Sequence, residues 1–156
     1  MPLALVVALL LLLSNLAMQT LMLQVRSRRA VVLELRQAED NLTSAAHLLV
    51  GRLQERHACL FQLNLAAWSL AGLSCGDPAE IMGLIRAEAH GVAWEVIGWQ
   101  PQPGGQHVEL LLQLRPREGQ PPRRGQFLVE LEATASPPRA LALRHQGLRG
   151  IPATGL

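Results

Sequence analysis

Two cysteines and two of the five histidines are the residues of this chain whose types suit metal or redox chemistry. His57 and Cys59 lie two positions apart, and Cys75 and His90 follow further along the chain. Structural zinc sites use four such ligands at regular spacings, and this spacing is not that of a known zinc finger. The sequence therefore predicts no metal site and no cofactor.

The two cysteines have a second interpretation, as a disulfide. A cysteine pair in a small domain that follows an apolar segment favours one Cys59–Cys75 bridge in an oxidising compartment. The loop between them holds about 15 residues, for which chain entropy gives about 3 kcal/mol of stabilisation. The alternative is two free thiols in a cytosolic domain.

A basic segment near the middle of the C-terminal half is the next candidate for a binding site. Its arginines are Arg115, Arg117, Arg123 and Arg124, among prolines and glycines. One interpretation is a solvated connection between strands, and the other is a contact with DNA phosphates or with a partner subunit. No aromatic residues alternate with these arginines, so base stacking is not predicted. The formal net charge of +2 does not by itself call for nucleic acid.

The sequence contains no glycine-rich phosphate loop, no nucleophile elbow and no paired metal-ligand motif. The sequence therefore predicts that the chain is not an enzyme.

The apolar N-terminal segment opens MPLALVVALLLLLSNLAMQTLMLQ. Residues 3–23 supply the length of about 20 mostly apolar residues that a membrane-spanning helix needs. No basic residue precedes the segment, and residues 14–17 form a poor signal-peptidase site, so removal as a signal peptide is not predicted. Asn15 and Gln19 lie four positions apart and share one helical face. Either the bilayer tolerates them or they pair with other helices.

The helical period continues beyond this segment. Leu35, Leu42 and Leu49 belong to an apolar stripe with spacings of three and four, and charged residues lie largely off it. The pattern predicts one helix from about residue 2 to about residue 55, roughly 80 Å long. Residues 1–25 form its apolar half and residues 26–55 its amphipathic half.

The remaining residues have a different pattern. Residues 56–90 are predicted to connect the helix to a head through short helical pieces, one beginning at Asp77 and Pro78. Residues 91–147 alternate with a period of two and are interrupted by turns, which predicts an antiparallel meander of about four strands. The amphipathic stripe of the helix is the predicted cover for its apolar face. Residues 148–156 are predicted to be a flexible tail, and the fold class is α+β.

This arrangement resembles the type IV pilin and type II secretion pseudopilin family. The resemblance extends over the whole chain, and its most specific carrier is the opening MPLALVVALLLLLSNLAMQTLMLQ, which is similar to the mature start of a minor pilin. Most family members have a glutamate as the fifth mature residue, and this chain has Leu5. Some minor subunits also lack that glutamate, so the resemblance points to a minor or specialised subunit.

The resemblance implies a function and a location. It implies a structural subunit that packs helix against helix with other pilin or pseudopilin subunits of an envelope filament. The predicted packing residues are Leu5, Asn15, Gln19, Leu35, Leu42 and Leu49. The resemblance implies residence in the bacterial inner membrane before assembly, with the head outside the cytoplasm. Arg26, Arg28 and Arg29 follow the apolar segment and by the positive-inside rule favour the opposite orientation.

Two alternatives belong to other functional classes. One is a single-pass membrane component of an envelope assembly or secretion machine that does not enter a filament. The other is a membrane-tethered binding module.

Overall fold

A computed structural model gives the fold of the protein. It describes residues 2–68, 75–89, 91–116, 121–132 and 135–149, with the backbone alone at residues 2–5, 8, 9 and 149. The chain divides into two compact units, Met1–Gln37 and Ala38–Leu156, and helix α1, Pro2–Arg56, continues from the first into the second. The predicted helix over residues 2–55 is confirmed.

The sequence explains the unbroken length of α1. A proline at the first turn of a helix costs little because the amide that it removes has no partner inside the helix. No further proline or glycine occurs before Gly51, which itself stands five residues before the helix ends at Arg56. Nothing in between therefore interrupts the backbone hydrogen bonds.

In the first unit, α1 carries exposed side chains on all sides. Every described side chain from Val6 to Glu34 is exposed. In the second unit, one face of the same helix is buried. The buried residues follow the predicted spacing of three and four and are Ala38, Leu42, Ala45, Ala46, Leu49, Val50 and Leu53.

Three short helical segments follow α1. They are a 3-10 turn at Ala58–Gln62, α2 at Leu65–Trp68 and α3 at Pro78–Ile85. The Asp77 carboxylate caps α3 by accepting a hydrogen bond of 2.9 Å from the Ala79 backbone amide, and Pro78 occupies the first turn. The predicted helix start at Asp77 and Pro78 is thus confirmed.

The sheet has five antiparallel strands in the order β1-β2-β3-β4-β5. The strands are β1 Arg86–Ala89, β2 Val92–Pro101, β3 His107–Leu114, β4 Arg123–Glu132 and β5 Arg139–Arg149. Along β3 and β4, buried side chains on the inner face alternate with half-buried side chains on the outer face, as a period of two requires. Strand β2 follows the same pattern except at a bulge between Val96 and Gly98.

Two parts of the sheet correct the sequence prediction. The predicted number of about four strands omits β1, which lies inside the predicted connecting segment 56–90 and turns into β2 through Gly91 at a φ of 74°. Strand β5 runs to Arg149, so it includes two residues of the predicted tail 148–156. Residues 150–156 lie outside the described residues.

The core of the second unit lies between the helices and the inner face of the sheet. Trp99 contacts Trp68 and Phe61, with ring centroids 5.2 Å and 5.8 Å apart. Gly125 on β4 is buried, and a Cβ there would lie 3.2 Å from Leu42 Cδ1 of α1. The missing side chain therefore leaves room for Leu42 against β4.

Candidate assembly surface

The largest exposed apolar area among the described residues lies on the N-terminal half of α1. We define the apolar helix surface as the exposed apolar residues between Val6 and Val25. Its large side chains are 48–67% exposed and are Val6, Val7, Leu10, Leu11, Leu12, Leu13, Leu16, Met18, Leu21, Met22, Leu23 and Val25. Consecutive residues of a helix point about 100° apart, so Leu10 to Leu13 alone cover its whole circumference.

A helix that is apolar on all sides has to be covered on all sides. A helix on the surface of a globular domain needs only one apolar stripe. Exposed apolar patches much larger than those of ordinary monomers mark sites of protein or membrane interaction. The apolar helix surface is therefore the first candidate for a functional site.

Polar side chains interrupt this surface in two different ways. The Thr20 hydroxyl donates a 2.8 Å hydrogen bond to the Ala17 carbonyl, and just beyond the surface the Ser27 hydroxyl donates one of 2.9 Å to the Gln24 carbonyl. These hydroxyls are satisfied inside the helix. Asn15 and Gln19 are exposed, one turn apart on one face. Their amides can donate to and accept from a neighbouring helix.

The other predicted packing residues divide between the two units. Leu42 and Leu49 are completely buried in the core of the second unit, and Leu35 is half-buried. Leu42 and Leu49 therefore pack inside their own chain, as the amphipathic stripe predicts, and are not available to a neighbouring subunit. Leu5 lies in α1, and its side chain lies outside the described residues.

The predicted disulfide is present in the structure. Cys59 and Cys75 are bonded, with their Cα atoms 5.9 Å apart and the two residues 16 positions apart in sequence. Because both thiols are in the bridge, neither can ligate zinc, and His90 lies outside the described residues. Over the ranges that the structure describes, no group of three or more metal-ligating side chains occurs.

A buried histidine lies beside the bridge. His57 is 4% exposed, and its Nδ1 donates a 2.8 Å hydrogen bond to the Cys75 carbonyl, because a carbonyl can only accept. Its Nε2 faces the Glu80 carboxylate at 3.7 Å. An open cleft of about 400 Å³ adjoins this pair, lined by Arg52, Glu55, Arg56, His57, Glu80, Gly83 and Leu84. Its charges are mixed, which does not select one class of ligand.

The predicted basic segment is not a loop of four free arginines. Arg123 and Arg124 lie in β4, and Arg124 Nε donates a 2.8 Å hydrogen bond to Gln113 Oε1 on β3. Arg115 is exposed directly after β3, and Arg117 lies outside the described residues. Because β4 begins at Arg123, Arg123 and Arg124 belong to the sheet and not to a connection between strands.

Two features of the second unit have no simple sequence signal. The outer face of the sheet carries a polar row in which Arg86, Glu95, Gln113 and Arg124 stand opposite one another on β1 to β4. Elsewhere, His145 Nδ1 on β5 lies 3.0 Å from Glu39 Oε1 on α1. The polar row and the His145–Glu39 contact both depend on how neighbouring elements are aligned, which the residue types alone do not predict.

Among the described residues, no helix has the length and hydropathy that crossing a membrane requires. Comparisons with protein-family models, with curated proteins and with solved structures found no match for this chain.

Proposed function

We propose that this chain is a structural subunit of an envelope filament, of the type IV pilin or type II secretion pseudopilin class. The observation that carries the proposal is the apolar helix surface, exposed on every side of α1 and continuous with a helix that ends in a folded head. A filament whose core is made of neighbouring helices covers such a surface completely.

Assembly by this route has two energetic stages. Before assembly the apolar half of α1 resides in the inner membrane, where lipid covers its side chains. Moving from lipid to a helix bundle buries no additional apolar surface from water, so packing and hydrogen bonds between helices supply the driving force. Asn15 and Gln19 are the side chains suited to this, with about 0.6–2 kcal/mol for each interhelical hydrogen bond.

The head is assigned to the outside of the cytoplasm. The Cys59–Cys75 bridge supports this location, because disulfides persist in oxidising compartments and are rare in the cytosol. In a filament the head then forms the outer contacts, with the polar outer face of its sheet directed towards solvent or towards neighbouring heads.

The proposal can be tested in the cell that produces this chain, by shearing surface filaments and detecting the head with an antibody. We expect the chain in the filament fraction. The substitution Leu12→Arg should remove it from that fraction, because a charge would enter the helix core. The matched control is Met82→Arg on α3, which places the same charge at an exposed apolar position of the head, 52% exposed in the wild type.

The competing functional classes give different results. A chain that stays with the membrane and is absent from filaments, in wild type and variants alike, would be a single-pass component of an envelope machine. A tip subunit occurs in few copies, so the filament fraction is concentrated before detection. Equal loss with Leu12→Arg and Met82→Arg would contradict assembly through the helix.

A further inference from the structure

Three arginines of the first unit have no acidic side chain at a pairing position along their own helix. Arg26, Arg28 and Arg29 are all exposed on α1, and we call them the arginine arc. Helical side chains pair at spacings of three and four, and no acidic residue stands at those spacings from any member of the arc. Arg36, by contrast, has Asp40 four positions after it. The charge of the arc is therefore left for a partner outside the helix.

The arc occupies one side of α1, and Glu34 lies on the other side. At about 100° per residue, the three arginines lie within roughly 160° of the helix circumference. Glu34, the first acidic residue of the chain, is exposed and lies about 160° from the middle of that range. No arginine stands three or four positions from Glu34. This stretch of the helix thus carries opposite charges on opposite sides.

This distribution of charge decides how two copies can meet. A two-fold dimer places the same side of both chains in contact, so arginines would face arginines. Parallel copies that stand side by side in the same orientation place opposite sides in contact, so the arc of one copy faces Glu34 of the next. Glu34 follows Arg28 by six positions, about 9 Å of helix rise, so the neighbouring helix is displaced along the axis by about that distance.

Apolar side chains accompany the charges on both sides. Val32 and Leu33 lie on the side of the arc and are 48% and 65% exposed. Val31 lies about 60° from Glu34 and is 53% exposed. A row of phosphate groups would neutralise the arginines and leave these apolar side chains uncovered. A neighbouring helix covers both kinds of side chain, so the composition of this surface favours a protein partner.

We propose that the arginine arc of one copy binds the Glu34 side of a second, parallel copy, in an open contact that repeats from chain to chain. This contact rests on the proposed function, in which α1 packs against α1 of neighbouring subunits. It adds the two sides that meet, the polarity of the contact and its axial displacement of about 9 Å.

The first measurement is self-association of the purified full chain in a neutral detergent, by sedimentation equilibrium. Glu34→Arg should weaken self-association about tenfold or more, because the arc would then face a like charge. Added salt should weaken the association of the wild type and strengthen that of Glu34→Arg, since it screens attraction in one and repulsion in the other. The matched control is Glu88→Arg, the same charge change at an exposed position of β1, which should keep wild-type association.

Charge reversal of the arc gives a sharper test. The variant Arg26→Glu, Arg28→Glu, Arg29→Glu should also associate weakly with itself, because its acidic side would face Glu34. An equimolar mixture of this variant with Glu34→Arg should associate about as tightly as the wild type, since each chain then offers on both sides the charge that the other lacks. All four substitutions in one chain should likewise restore self-association.

A matched control for the triple variant reverses three exposed arginines of the second unit and should leave association unchanged. Its substitutions are Arg52→Glu, Arg115→Glu and Arg139→Glu. Wild-type association in both Glu34→Arg and the reversed arc would overturn the inference. So would an equimolar mixture of the two that stays unassociated. Unchanged association with lost binding of a DNA duplex in the reversed arc would assign the arginines to phosphate and overturn it as well.

The filament fraction separates this inference from the proposed function. Glu34→Arg should be depleted from sheared filaments, and the chain with all four substitutions should return to them. If Glu34→Arg enters filaments as well as the wild type does, only the inference fails. If the wild type neither associates in detergent nor enters filaments, the proposed function fails with it.

Discussion

At the scale of single residues, Gly76 has the least space for a side chain among the described glycines. Its φ is 130°, and a Cβ added there would lie 2.8 Å from His57 Cε1 and 2.9 Å from His57 Nδ1. The same imidazole donates to the Cys75 carbonyl, so it cannot move away without losing that hydrogen bond. Glycine is therefore required for two reasons, which are its positive φ and the lack of space for a Cβ beside His57.

Gly76→Ala should lower the free energy of unfolding by about 3 kcal/mol, from backbone strain and from the clash with His57. The measurement is urea denaturation followed by tryptophan fluorescence. Gly104→Ala is the matched control, because its φ is 100° and nothing lies within 4 Å of the added Cβ. It should cost about 1–2 kcal/mol, from the backbone term alone. Equal losses would mean that His57 yields without cost.

His57 itself supports a second prediction. Its replacement in His57→Leu leaves the Cys75 carbonyl without this donor, and losing a partner in a buried position costs about 1–3 kcal/mol. His47 is exposed on α1, and His47→Leu should change stability by less than about 0.5 kcal/mol. Thermal unfolding of both variants tests this. A similar effect for both would remove the hydrogen bond as the cause.

Sequence patterns identified the residues of this region only in part. The bridge between Cys59 and Cys75 could be predicted because cysteine pairs carry a specific chemistry. The burial of His57 could not, since a histidine at the end of a helix has no period that assigns it to a core. The contacts of His57 depend on where the Cys59–Cys75 disulfide positions the chain.

At the scale of elements, the amphipathic half of α1 differs sharply from the apolar half. Leu33 is 65% exposed, while Leu42, nine positions later, is completely buried against the sheet. Leu42→Ala should therefore cost about 2–5 kcal/mol through lost burial and a residual cavity. Leu33→Ala should change the stability of the head by less than about 0.5 kcal/mol. Denaturant unfolding of both variants is the measurement, and similar costs would contradict the place where the core begins.

The disulfide belongs to the same scale, because it closes the connection between α1 and α3. Reduction of the Cys59–Cys75 bridge should lower the free energy of unfolding by about 3 kcal/mol, as the chain-entropy model gives for a loop of this length. Urea unfolding with and without dithiothreitol measures this. The double variant Cys59→Ser, Cys75→Ser should unfold at the lower midpoint in both conditions. A response of that variant to dithiothreitol would show that the reductant acts elsewhere.

The element boundaries show which parts of the fold the hydrophobic period predicts. The helix and strands β2, β3 and β4 follow from regular spacings of three to four or of two. Strand β5 is longer than the sequence predicts, because two bulges interrupt its alternation: Leu141 and Gln146 have no partner in its register with β4. Strand β1 is not predicted by the sequence, because Arg-Ala-Glu-Ala contains no β-branched or aromatic residue and resembles the end of a helix.

At the scale of the whole molecule, the division after Gln37 separates two requirements. Every buried apolar residue in the described part of the chain lies at or beyond Ala38, so the second unit holds that entire core. The first unit contributes exposed apolar surface and no buried residue. The folding of the head and the covering of the apolar helix surface therefore depend on different residues.

A chain that begins at Ala30 tests this separation. It retains every residue of the described core, so its free energy of unfolding should match that of the full chain in mild detergent within about 1 kcal/mol. It should sediment as a monomer without detergent at concentrations where the full chain associates, because the apolar helix surface is gone. A matched full-length variant, Leu12→Arg with Leu16→Arg, should show weaker association at unchanged head stability. Loss of cooperative unfolding in the shortened chain would show that residues 1–29 support the head, and the two requirements would then be one.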